Sequence, residues 1–148
     1  MIRIFQRHCN FSSNSANKER PSWFDREKIF DNFQKTFTKD VIYTAVFDKG
    51  SGNVNDHFIS KKNVNIIEIE AGTEAKSFTK ILEYVNKQNF EDEDIIYFVE
   101  DDYLHKTGWI DILLEGVKYI GAEYFTLYDH PDKYYLPMYD NLQSKIIQ

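Results

Sequence analysis

The feature that most constrains this chain is the alternation of short β-forming runs with segments of helical periodicity. Residues 2–7, "IRIFQR", put Ile2, Ile4 and Gln6 on one side of a strand and Arg3, Phe5 and Arg7 on the other. "VIYTAVF" (41–47), "VNIIEIE" (64–70), "IIYFV" (95–99) and "YFTL" (124–127) are four further runs rich in β-branched and aromatic residues. Helical segments fall between them. "SWFD" fits a capping arrangement with Ser22 as N-cap and Asp25 three residues on, after which Trp23, Phe30, Phe33 and Phe37 share a face. Thr73 suits the N-cap of a second helix, in which Phe78, Ile81, Leu82 and Val85 follow the i, i+3, i+4, i+7 spacing. Thr107 suits the third, with Ile110, Leu113, Leu114 and Val117 as its inner face and Gly121 at its C-terminal turn.

The order β-α-β-(loop)-β-α-β-α-β predicts one α/β domain over residues 1–148: a mostly parallel central sheet with helices on both faces. "IIYFV", the most apolar run, is expected to be a central strand. Such sheets bind ligands at the carboxyl ends of their strands. Here the first four strands end in "RHCN", "DKG", "EAGT" and "EDD", all polar and all expected on one edge. "KGSGNVNDHFISKKN" (49–63) is long for a connection, so it is expected to be functional or partly ordered by a short helix.

Composition excludes several classes. A formal net charge of −6 with scattered basic residues argues against a nucleic-acid backbone as partner. A single cysteine, Cys9, rules out an intrachain disulfide and suits a reducing compartment. "MIRIFQRHCN" is too short and too charged for a signal peptide, and no apolar run approaches the roughly 20 residues of a membrane span. A cytoplasmic protein is the expectation. After the first strand, "HCNFSSNSANKER" has no glycine, which excludes a GxGxxG dehydrogenase and a P-loop NTPase. His8, His57 and His105 have no mutual spacing that suggests a metal site and are expected in surface or hydrogen-bonded loop positions.

Three adjacent carboxylates, Glu100, Asp101 and Asp102, follow the fourth run directly. Their mutual repulsion needs relief. Mg2+ or Mn2+, which prefer hard oxygen donors and often take one or two from protein, would relieve it and would neutralise a bound diphosphate. The competing reading is a solvated acidic turn.

"IEAGTEAKSFTKILEYVNKQNFEDEDIIYFVEDDY" resembles the segment of GT-A glycosyltransferases that runs from the third strand through a helix to the acidic D-x-D motif. The first strand with "RHCN" and the second ending at Asp48 are similar to that fold's nucleotide-binding half, and "LYDHPDKY" to a downstream segment of small bacterial and phage-type members. The resemblance covers residues 1 to about 130. It implies a Rossmann-like nucleotide-sugar-binding fold and transfer of a sugar from a nucleotide-diphospho-sugar, UDP being the commonest carrier, to an unknown acceptor. It implies that Asp102 ligates the divalent ion, that Glu100 and Asp101 assist it or hold sugar and ribose hydroxyls, and that Asp48 bonds the base. Arg7, His8 and Asn10 would wrap the nucleoside, and Lys76 and Ser77 would face the nucleotide. His130 would complete the metal shell or touch the acceptor, and Asp129 or Asp132 would be the base of an inverting transfer. The family's acceptor half is normally longer, so truncation, a minimal enzyme and loss of activity all stay open. A non-catalytic nucleotide-sugar binding module and a nucleotidyltransferase are the alternative functions. Oligomeric state is not legible.

Overall fold

The computed structural model describes residues 1–121, 123–128 and 137. The chain divides into two compact units, residues 1–105 and 106–148.

The first unit holds a four-stranded sheet in which every neighbouring pair is parallel. β1 (Ile2–His8) pairs along its whole length with β2 (Val41–Asp48), from Ile2 beside Val41 to His8 beside Phe47. β3 (Asn65–Ile69) lies outside β2, and β4 (Ile95–Glu100) lies on the other side of β1, with Glu100 beside Arg7. The order β3-β2-β1-β4 corrects one expectation: among the described residues β4 is an edge strand, not a central one. An apolar run reports that both faces are covered and says nothing about how many neighbours a strand has. All six residues of β4 are only half-buried, whereas β1 and β2 supply the fully buried Ile4, Gln6, His8, Ala45, Val46 and Phe47.

Each face has its own core. On one, Phe30, Ala45, Phe47 and Ile59 pack together, joining the helix between β1 and β2 to the segment between β2 and β3. On the other, Phe5, Val46 and Ile81 pack with Ile96 and Phe98 beneath the helix between β3 and β4. The chain moves β1 to β3 in one direction and then returns past β1 to β4. Right-handed crossovers therefore place their connections on opposite faces.

The helices are capped partly as expected. α1 (Ser13–Ala16) is a single short turn within the stretch between β1 and the next helix. α2 (Arg26–Lys35) is capped by Asp25, whose carboxylate accepts from the Lys28 amide, and not by Ser22. Starting at Asp25 puts Glu27 in the first turn, where the helix dipole favours an acid. Residues 21–24 form a turn instead, with the Phe24 amide donating to the Pro21 carbonyl at 2.9 Å, and Trp23 is 60% exposed, off the buried face. α3 (Glu74–Val85) is capped by Thr73 as its sequence predicts. Short 3-10 turns at Lys49–Ser51, Val54–Asp56 and Phe58–Lys61 order the long connection.

In the second unit α4 (Trp109–Ile120) begins at Gly108, whose φ of +89° suits glycine, and not at Thr107; it ends at Gly121 with φ +62°, as expected. Trp109, Ile110 and Leu113 are its buried residues, while Val117 is exposed. Residues 124–127 are not the expected fifth strand. The Thr126 hydroxyl takes the Tyr128 amide at 3.2 Å, a local bond that replaces a ladder bond, and the Phe125 ring lies against Gly116 of α4. Among the described residues no helix is long and apolar enough to cross a membrane.

Candidate functional site at the carboxyl edge

The carboxyl ends of the four strands bring together most of the residues singled out in the sequence, and they do so in three distinct arrangements. The first is built on Asp48, 1% exposed at the end of β2. Its Oδ1 accepts from the amides of Gly50 (3.0 Å), Ala71 (3.0 Å) and Gly72 (3.2 Å); its Oδ2 accepts from the Gly72 amide (3.0 Å) and the Ser77 hydroxyl (2.6 Å). Burial by itself would raise the pKa, but the Ser77 hydroxyl and these amides outweigh it and hold Asp48 below the usual carboxylate range. Gly50 is required here because an added Cβ would lie 2.7 Å from the Gly72 nitrogen. Both Asp48 and Ser77 are thus occupied in tying the end of β2 to the turn before α3.

The second arrangement answers the crowding of Glu100, Asp101 and Asp102. Each has an arginine. Arg20 Nη2 donates to Asp102 Oδ2 at 2.8 Å, Arg26 Nε is 3.3 Å from Asp101 Oδ1, and Arg7 Nη1 is 3.9 Å from Glu100 Oε1. The three acids also differ in depth: the side chains of Glu100, Asp102 and Asp101 are 45%, 15% and 7% exposed. Burial and the neighbouring Asp102 raise the Glu100 pKa. Burial pushes Asp101 up to about 7 despite Arg26 beside it.

The third arrangement surrounds His8, which is fully buried at the end of β1 and not in a loop. Its Nε2 lies 3.0 Å from the Tyr43 hydroxyl and its Nδ1 lies 3.8 Å from Asp101 Oδ2. His57, 7% exposed, sits beside it with ring centroids 5.4 Å apart. Burial is the main cause that holds both imidazoles below their ordinary pKa, His57 at about 4, with Arg26 adding to the effect on each. His105 is hydrogen-bonded to Tyr97 at 2.8 Å, which matches the expected loop role.

Asn10 stands above β1, its amide on Ser51 Oγ at 3.0 Å and its side chain donating to the Asn53 carbonyl at 2.9 Å. A cleft of about 100 Å³ opens between the ends of β1 and β2 and the start of α3, lined by Arg7, Phe11, Ser12, Ser51, Thr73 and Glu74. That is well below the roughly 300 Å³ at which small-molecule pockets begin, and two of the side chains that line it, Asp48 and Glu74, are carboxylates. Lys76 is exposed on the first turn of α3. Asp129, His130 and Asp132 lie outside the described residues.

Arg20, Arg26, Tyr43 and His57 belong to the site by geometry and were not singled out in the sequence as part of it. Their partners stand 82, 75, 35 and 49 positions away, so no local spacing signals them. No family model matches the chain, and no curated protein or solved structure matches it either.

Proposed function

We propose that this chain binds a nucleotide-diphospho-sugar across the carboxyl edge of its sheet and acts as a metal-dependent glycosyltransferase of the GT-A type. One observation carries the reading. The strand order reverses between β1 and β4, and the acids that follow β4 stand at that switch point beside Arg7 of β1. Open parallel sheets take their ligands at such a point.

Carboxylate oxygens are the donors that a hard divalent cation takes. Glu100 and Asp102 would hold Mn2+ or Mg2+ through oxygen, and the ion would neutralise the departing diphosphate. The bond between Arg20 and Asp102 opposes this, since binding an ion there frees the guanidinium. A diphosphate offers the released arginine a replacement partner, so ion and donor are expected to bind together and each weakly alone. Arg7 lines the cleft and would be the partner of a phosphate group there. Asp129 and Asp132 remain the proposed bases for the acceptor proton.

The complete pairing of the acid triplet with arginines favours a second reading, a nucleotide-sugar binding module without turnover. Thermal-shift and calorimetric titrations with UDP, GDP and their sugars, with and without Mn2+, separate the readings. The enzyme predicts Mn2+-dependent binding that Asp102→Ala abolishes, with release of free nucleotide over time. Binding without any transfer or hydrolysis supports the module. No stabilisation by any of these ligands overturns both.

A further inference from the structure

The hydrogen-bond chain beneath the acid triplet fixes the tautomer of His8. Gln6 Nε2 donates to the Glu100 carbonyl at 3.2 Å, which turns Gln6 Oε1 toward Tyr43. The Tyr43 hydroxyl donates to that oxygen at 2.7 Å. Its single proton is then used, so the Tyr43 oxygen accepts from His8 Nε2–H at 3.0 Å. His8 Nδ1 is left as a bare lone pair. It faces Asp101 Oδ2 at 3.8 Å, and both atoms are buried with no hydrogen-bond partner. Two buried acceptors turned toward each other need something electropositive between them, either the carboxyl proton of Asp101 or a cation in its place. His57 completes the group: one ligand atom from each of His8, His57 and Asp101 lies within 4.8 Å of the other two.

We propose that His8, His57 and Asp101 form a buried site for a first-row transition-metal ion, zinc foremost, separate from the Glu100–Asp102 pair. Two imidazole nitrogens and one carboxylate oxygen suit Zn2+, Co2+ or Ni2+ and not the hard oxygen-seeking Mg2+. With bonds of about 2.0–2.1 Å, two ligands of a tetrahedral ion stand roughly 3.3–3.4 Å apart, so the 3.8 Å between His8 and Asp101 closes with a small inward movement, and His57, within 4.8 Å of both, has to swing in with them. The outer contacts are those a metal site uses. Tyr43 holds the remote N–H of His8, and Arg26 stands at the other oxygen of Asp101. One existing bond is lost. The Ile59 amide donates to His57 Nδ1 at 3.2 Å. Ligation through Nδ1 displaces it directly, and ligation through Nε2 moves the ring proton to Nδ1 and expels it as well. The ion would link the ends of β1 and β4 to the 49–63 connection, a structural role.

The test uses the full chain stripped with chelator and dialysed, then titrated with Co2+ and displaced by Zn2+. One equivalent of Co2+ with a visible ligand-field spectrum is expected, bleached by one equivalent of Zn2+ and accompanied by a shift of the Ile59 amide resonance. His57→Gln and Asp101→Asn should each weaken Zn2+ binding by at least about tenfold, while Asp102→Asn leaves it within about twofold. His57 lies at a turn, so its variant is the safer of the two to fold; the wild-type Co2+ spectrum stands whether or not either does. Folded apoprotein that takes up neither ion, or uptake lost in Asp102→Asn and kept in His57→Gln, overturns the proposal. Neither result bears on Mn2+-dependent donor binding, which is measured separately.

Discussion

Asp48, the last residue of β2, and Asp101, the first after β4, are both buried carboxylates, and their surroundings drive them in opposite directions. Asp48 receives amide and hydroxyl donors at both oxygens, so its charge is stabilised in the fold. Replacing it by Asn keeps the shape but turns an NH2 group toward amides or the Ser77 hydroxyl. Asp48→Asn is expected to lose about 2–4 kcal/mol of stability in urea unfolding, and a loss under about 1 kcal/mol would show that the hub is dispensable. Its pH dependence follows from the lowered pKa: the stability it contributes is present above the ordinary carboxylate value of 3.8 and disappears as pH falls through the folded value. Asp101 behaves in reverse. With its pKa raised to about 7, its contribution is full below 3.8 and is lost as pH rises through 7, because the folded state then bears a buried charge. In chelated protein, the stability of Asp101→Asn relative to wild type should therefore climb between pH 4 and 7, by up to about 1.4 kcal/mol per pH unit, and level off above that. Unfolding curves at four pH values give the slope; a flat difference would mean that Asp101 stays ionised throughout.

At the scale of elements, the sequence yielded what depends on local pattern. Four strands lie within a residue or two of their expected bounds, and Thr73 caps α3 as read. The errors arise where tertiary context or a competing local bond decides. Ser22 and Asp25 are both good caps; the later start buries Ile29, Phe30 and Phe33, puts Glu27 in the first turn and leaves residues 21–24 to a turn of their own. "YFTL" has strand composition, but Thr126 bonds its own turn. The acid triplet was legible as a cluster at the carboxyl edge, and so was Arg7; Arg20 and Arg26 were not, because they come from the β1–α2 connection and α2, which only the parallel topology returns to β4. Gly50 is a similar case. Nothing in the sequence tells how Gly50 and Gly72 differ, yet a Cβ at Gly50 meets the Gly72 backbone at 2.7–2.9 Å, while at Gly72 it meets nothing and faces only a φ of +75°. Gly72→Ala should then cost about 1 kcal/mol, from backbone strain alone. Gly50→Ala should cost more, about 1–3 kcal/mol or above, because neither backbone can yield without breaking the bonds to Asp48. Paired chemical denaturation of the two variants checks the order, and equal losses would count against a close backbone approach.

Across the sheet as a whole, the order β3-β2-β1-β4 sets which parts of the first unit must open last. β1 is paired on both sides over nearly its full length, and β2 is paired on both sides from Thr44 to Phe47. Both lie between the two cores, one centred on Phe30 and Phe47, the other on Phe5 and Ile81. Their amides cannot reach solvent unless both cores separate. β3 and β4 each lend one edge to the sheet, and their residues are half-buried or exposed. Sub-global openings that peel an edge strand leave most of the buried apolar surface in place, so they need less free energy than global unfolding. Native-state hydrogen exchange should therefore find the amides of Phe5 and Gln6 and of Ala45 to Phe47 exchanging with the free energy of global unfolding. Amides of Ile66 to Glu68 should exchange through smaller openings, at rates that respond weakly to denaturant. The same measurement tests the edge placement of β4 most sharply. Were the amides of Tyr97 and Phe98 to match those of β1 in both rate and denaturant dependence, a further element would have to cover that edge, and β4 would be the central strand its apolar sequence first suggests.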